Sequence, residues 1–270
     1  MYSNQGPTGG RPNIDPVIMV KLLVLQACYG LSDLVLERQT LNRIDFMHFL
    51  GFPETLPDYA TVWQFRESLA ESGKDREVWA NLQRQLDMKG LKVKKGVVQD
   101  ASFITVDPGH AVAEEPRGGE ARTRRSRDGS WTKKGNRSYF GYKLCWKVDV
   151  DHGLIRGLEA TTASVHDSRV DFPGGGVCRG KGYQGAVPCG WDGSMRRGAR
   201  DHPLWIWGSS GVGGSTGGGL PGGPFAVIKG MFNACHVLVS SLPRVKVKMV
   251  FACLCCNLLQ LRTLGGGLTA

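Results

Sequence analysis

Val97-Val98-Gln99-Asp100-Ala101-Ser102-Phe103-Ile104-Thr105-Val106 is the stretch whose reading decides the fold. β-Branched and aromatic residues fill it, with no glycine or proline, which predicts a buried β-strand. One carboxylate, Asp100, sits in its middle. A charge inside a strand is costly unless a partner or a metal ion offsets it. The alternative is an aspartate that only bonds local backbone at a turn. The residues on either side decide between the two.

Upstream the chain reads as helical. Asp15-Pro16 makes a helix start, an N-cap followed by proline at the first helical position. Val17 to Tyr29 follows, and Gly30 ends it. Ser32 or Asp33 caps a second helix to Asn42, with Leu34, Leu36 and Leu41 expected on one buried face. Phe46, Phe49 and Leu50 form a short apolar helix closed by Gly51. Asp58 and Thr61 begin a helix over Val62 to Leu69 that carries Arg66, and another spans Asp75 to Met88. Residues 1–12 read as a flexible tail and 13–90 as an all-helical domain.

Downstream, two more strands are predicted, at 139–149 and 153–162. Asp151-His152-Gly153 joins them as a tight hairpin turn. Residues 111–138 read as a solvated basic loop containing Arg122, Arg124, Arg125, Arg127, Lys133, Lys134 and Arg137. A mobile basic loop beside a strand carboxylate is well placed to meet phosphates. Residues 171–230 hold 19 of the 38 glycines, a density that raises the entropy cost of ordering. Their runs lack the Gly-Lys-Ser/Thr ending of a phosphate loop. Val245 to Leu264 regains helical character and is expected to bury Val250, Phe251, Leu254, Leu258 and Leu261.

Composition narrows the partners. The 270 residues carry a net charge of +10 with pI near 9.3, which favours a polyanion. The apolar run Val17 to Cys28 is interrupted by Lys21 and Gln26 and is too short to cross a bilayer. With no signal-peptide pattern, the expectation is a cytoplasmic, nucleoid-associated protein without a membrane partner. Cys28 and Cys145 read as small core residues. Cys253, Cys255 and Cys256 fall in an apolar helical run. Neither zinc spacing nor a disulfide framework emerges.

Several segments resemble one family. Gly10-Arg11-Pro12, Asp15-Pro16-Val17, Leu25 to Asp33, Phe49 to Phe52 and Asp58 to Arg66 are similar to the N-terminal helical domain of insertion-sequence transposases. Gln99-Asp100-Ala101-Ser102-Phe103-Ile104 resembles the strand bearing the first Asp of that family's Asp-Asp-Glu triad. Lys133-Lys134-Gly135 with Tyr139-Phe140-Gly141-Tyr142-Lys143 resembles the start of the second strand. Thr161 to Ser168 resembles the turn into the next helix. The resemblance implies an α/β architecture: an N-terminal all-helical domain, then a ribonuclease-H-like mixed sheet flanked by helices over 94–264. It implies Mg²⁺ held by three carboxylates, DNA ends as partner, and a homo-oligomer on DNA. The implied reaction is strand cleavage and transfer, with one ion activating the nucleophile and the other stabilising the leaving oxygen. By this resemblance Asp100 is catalytic and a metal ligand. Arg122, Arg124, Arg125, Lys133, Lys134, Arg137, Lys143 and Lys229 are expected to face DNA.

The chain departs from the family where the other two carboxylates belong. The second falls in Asp-Lys-Gly-Tyr; here Gly180-Lys181-Gly182-Tyr183 stands. The third falls in Y-x2-R-x3-E-x6-K. Anchored on Lys229, those positions hold Ser215, Gly218 and Gly222. Asp201 is the last acidic residue, so no shift of register supplies a carboxylate further on. Asp, Glu and the AGN-codon forms of Arg and Ser all become Gly through one A-to-G change. The expectation is therefore a transposase copy that is catalytically impaired by decay or hypermutation. Intact relatives whose codons differ at these sites by other changes would remove that origin. The alternatives are a non-catalytic DNA-binding derivative, or a decayed product with no function.

Four other sites have two readings each. His166-Asp167 is an acid–base pair, or Asp167 or Ser168 caps a helix. Asp107 is a turn residue or a stand-in ligand. Lys229 contacts phosphate or only solvent. Trp205 and Trp207 stack on bases or pack internally.

Overall fold

The computed structural model describes residues 14–94, 96–109, 126–170, 172, 177–179, 224–232, 234–238 and 241–266. Five helices come first: α1 (Pro16–Tyr29), α2 (Asp33–Asn42), α3 (Ile44–Leu50), α4 (Tyr59–Ser72) and α5 (Asp75–Met88). Local chemistry sets their ends. The Val17 N–H donates to Asp15 Oδ1 at 2.8 Å, Val35 N–H to Ser32 Oγ at 3.4 Å, and Thr61 N–H to Asp58 Oδ1 at 2.7 Å. Gly30, Gly51 and Gly73 close α1, α3 and α4 in the left-handed conformation.

Side-chain facing on the short helices departs from expectation. Leu36 is buried, whereas Leu34 and Leu41 are 56% and 63% exposed. Leu34 and Leu36 are two positions apart and cannot share a helical face. On α3, Phe46 and Leu50 are buried and Phe49 faces outward.

Among the described residues the sheet has six strands: β1 (Val97–Val106), β2 (Ser130–Lys134), β3 (Arg137–Asp149), β4 (Ile155–Thr162), β5 (Val177–Arg179) and β6 (His236–Val237). β1 lies inside it. β3 pairs antiparallel along one edge of β1, and β5 and β6 pair parallel with it. The far edge of β3 takes β2 and then β4, so Gly141 pairs with both Thr105 and Ser130. Gly141 needs to be glycine: its φ is +144°, and a Cβ there would lie 2.3 Å from the Ile104 carbonyl oxygen. Two helices complete the described fold, α6 (Pro224–Gly230) and α7 (Leu242–Gly266). This is the α/β, ribonuclease-H-like mixed sheet with helices that the resemblance implied.

Two strand boundaries are corrected. The basic stretch is not all loop, because Ser130–Lys134 forms β2 and turns through Gly135 into β3. Its charges masked the β-forming Trp131 and Thr132. The turn at Asp151-His152-Gly153 is wider than a tight hairpin. β3 ends at Asp149 and β4 starts at Ile155, and the Asp149 carboxylate accepts the His152 N–H at 2.5 Å.

α7 runs between the sheet and the N-terminal helices. It packs against β4 and against α1, α4 and α5, and one apolar core joins Leu22, Leu23 and Leu69 to Tyr142, Leu144 and Trp146. A helix covered on several sides is apolar all round. Val245, Val247, Met249, Val250, Phe251 and Leu254 are all buried. By length and hydropathy α7 resembles a membrane span, but 61% of that window is buried within the protein. Leu258, expected in the core, is 38% exposed. The buried face of that turn carries Asn257 and Gln260 instead. Asn257 accepts the Ile155 N–H at 2.8 Å and donates to the Ile155 carbonyl at 2.9 Å, while Gln260 donates to the His152 carbonyl at 2.7 Å.

Candidate active site

Asp100 is the fourth residue of β1 and pairs with Trp146 across β3. Strand alternation places it on the side shared with Ser102, Ile104 and Val106. Its Oδ1 accepts the Ala101 N–H at 2.8 Å. The carboxylate touches solvent, yet the protein around it displaces enough water to raise its pKa above the usual carboxylate value. The charge of Asp167 pushes the same way, while Lys134 and Lys229 pull against it. Three elements therefore converge on Asp100: the β2–β3 hairpin through Lys134, the turn after β4 through Asp167, and α6 through Lys229. β5 comes alongside as well. Val177, Cys178 and Arg179 pair with Val97, Val98 and Gln99, so the described register stops one residue short of Asp100.

Asp167 begins a three-residue 3-10 turn, Asp167–Arg169, and not a longer helix among the described residues. Its carboxylate pairs with Lys143 Nζ at 2.7 Å. Lys143 also donates to the Val165 carbonyl at 2.7 Å and is 7% exposed. Its ammonium is engaged inside the protein as a strut between β3 and that turn. Asp107 lies just past β1 and accepts the Gly109 N–H at 2.7 Å, which is the turn reading.

Lys133, Lys134 and Arg137 are exposed on the β2–β3 hairpin. Lys229 is half-buried on α6. Arg122, Arg124 and Arg125 lie outside the described residues. So do Gly180, Gly218, Gly222, Trp205 and Trp207. Beside the hairpin, Phe103 and Tyr139 stack with centroids 5.0 Å apart and planes 9° from parallel. Lys134 and Lys143 approach the Phe103 ring at 6.0 and 5.3 Å. Trp131 is 49% exposed on the same hairpin. Sequence reading missed this aromatic group because aromatic residues in a strand read as core.

The donor set near Asp100 can be tested against a divalent metal pair. Among the described residues no group of three His, Cys, Asp or Glu side chains comes together. The second carboxylate within electrostatic reach, Asp167, is held by Lys143, and two lysines act on Asp100. Mg²⁺ needs several hard oxygen ligands. The described residues around Asp100 supply two lysine charges and one lysine-paired carboxylate, which does not fit a two-metal site.

The raised pKa of Asp100 has a stability consequence. A carboxyl raised in the folded state contributes stability below its unfolded pKa and loses it as pH rises through the folded pKa. Asp100→Asn is therefore expected to melt above the unmodified chain at pH 7. The gap should close as pH falls below about 4, the ordinary Asp value. Thermal melts at the two pH values check it, and a pH-independent gap would contradict the assignment.

Comparison with known families bears on both parts of the chain. Residues 1–68 match a family described as a transposase domain (DUF772), and residues 92–170 match the transposase DDE domain. Together the two matches cover more than half of the chain. No solved structure matches.

Proposed function

The chain belongs to the insertion-sequence transposases of the Asp-Asp-Glu class, and we propose that this copy retains the DNA-binding part of that work while its strand cleavage is impaired. The observation that carries the proposal is the company Asp100 keeps: a strand carboxylate with Lys134 and Lys229 acting on it, its neighbour Asp167 paired with Lys143, and no group of three metal-ligating side chains among the described residues. DNA is the partner the family implies. The exposed Lys133, Lys134 and Arg137 are placed to take backbone phosphates, which fix register and orientation without reading bases. Phe103 and Tyr139 give a neighbouring flat face. A divalent ion of the kind this family uses, with Mg²⁺ the best match to carboxylates, would be held through Asp100 and would supply Lewis-acid chemistry at the phosphate. Gly180 and Gly222 have no side chain with which to hold one. Bringing two transposon ends together calls for more than one copy, so a homo-oligomer on DNA is part of the proposal.

A second reading, a decayed product with no function, is favoured by the glycine excess over 171–230. Gel shifts of the full chain on the element's terminal repeats separate the two. Binding is expected and should weaken steeply with salt. The variant Lys133→Ala/Lys134→Ala/Arg137→Ala should flatten the slope of log K against log salt by about 2–3, at roughly 0.9 per phosphate contact. No binding at low salt would leave the decayed reading standing. A slope unchanged in the variant would remove the hairpin from the interface.

A further inference from the structure

A cavity of about 410 Å³, with Asp100 not among its lining residues, opens between the α1–α2 corner, α4 and α7. This is the size of small-molecule sites. Its floor is apolar, with Leu23, Ala27 and Phe251 among the lining residues. The polar groups on its wall are mostly matched to each other. Arg66 binds Asp33 through two hydrogen bonds of 2.8 and 2.9 Å and donates to Gln26 Oε1 at 2.9 Å. Gln26 Nε2 in turn donates to Asp33 Oδ1 at 2.6 Å. Arg244 pairs with Glu67 at 2.7 Å. Three cations and two carboxylates therefore line the space.

The remaining cation is Lys248, one turn of α7 beyond Arg244. It is half-buried, and no hydrogen bond or ion pair is found for it among the described residues. Burial lowers its pKa, and the nearby positive charge of Arg66 lowers it further. An ammonium partly removed from water beside another cation carries an unmet electrostatic cost. A mostly apolar chamber with one positive charge unmatched among the described residues has a defined complement: one negative charge on an apolar body.

We propose that this cavity binds a small organic carboxylate, with the anion on Lys248 and the apolar body against the α1 and α7 side chains. A free small molecule is favoured over a DNA phosphate because the floor is apolar and the phosphates of a duplex carry no apolar group to fill it. The walls come from the N-terminal helices and from α7, so the ligand would fasten the two together. The proposal does not depend on the reading of Asp100.

Benzoate, benzyl alcohol and benzylammonium are suitable probes, with the full chain followed by thermal melting and calorimetric titration. Benzoate alone is expected to raise the melting temperature saturably. Lys248→Met should weaken benzoate binding about 10- to 100-fold, the loss of one charge-assisted contact. The unliganded Lys248→Met protein should melt no lower than its parent, which shows that the fold survives. Lys248→Arg should keep the benzoate response. A benzoate shift that persists in Lys248→Met overturns the proposal, as does an equal response to benzyl alcohol or no response in the parent.

Discussion

With Mg²⁺, the double variant Gly180→Asp/Gly222→Glu is expected to cut a supercoiled plasmid carrying the element's ends about 10³-fold faster than the unmodified chain, or more. The size follows from the transition-state stabilisation that positioned metals provide. Several kcal/mol is at stake, and about 4 kcal/mol corresponds to a thousandfold in rate. Ligands of one site act as a unit, so each single variant should remain close to background. The fold supplies the setting for both changes. β5 pairs in parallel up to Arg179 opposite Gln99, and the next residues in sequence are Gly180 and, across the sheet, Asp100. Gly222 precedes α6 by two residues, and the Lys229 of α6 acts on Asp100. Adding Asp100→Ala to the restored protein should return cleavage to background. If the unmodified chain cuts as fast as the restored one, the missing carboxylates are not what limits it.

The largest effect on stability is expected from Arg156→Ala, at about 3–5 kcal/mol, the usual consequence of leaving a buried charge without its partner. Asp149 is fully buried, and the Arg156 side chain is 6% exposed. Arg156 Nε donates to Asp149 Oδ2 at 2.7 Å. Its other nitrogens reach Asp87 at 3.3 Å, Gln83 Oε1 at 3.4 Å and the Leu91 carbonyl. One guanidinium thus ties the β3–β4 connection to the end of α5. Removing it strands the Asp149 carboxylate, which keeps the His152 N–H. Replacing both members, Asp149→Leu with Arg156→Met, should cost less than Arg156→Ala alone because no charge is then left buried. Urea unfolding midpoints at constant m read both variants. An unchanged midpoint for Arg156→Ala would mean that Asp149 finds compensation elsewhere.

Features controlled by near neighbours in sequence were legible in advance. Asp15, Ser32 and Asp58 cap because their side chains reach N–H groups two or three residues on. β1 was legible to the residue, since its ten residues share one conformational preference. The short helices were less so: Leu34 and Leu41 are apolar, but whether they are covered depends on what packs there. β2 was hidden because charge dominated its composition. It exists as a strand through its pairing with β3.

The candidate site divides along the same line. Asp100 stood out in its strand, with a triad role that the family resemblance implies, and the absence of acidic residues after Asp201 is a fact of sequence. The tertiary structure decided which charges Asp100 feels, that Lys143 is spent on Asp167, that Arg156 serves Asp149, and that Lys248 lines a cavity without a partner among the described residues. Each of these depends on groups brought together from distant points of the chain, where burial strengthens charge interactions that no local pattern encodes.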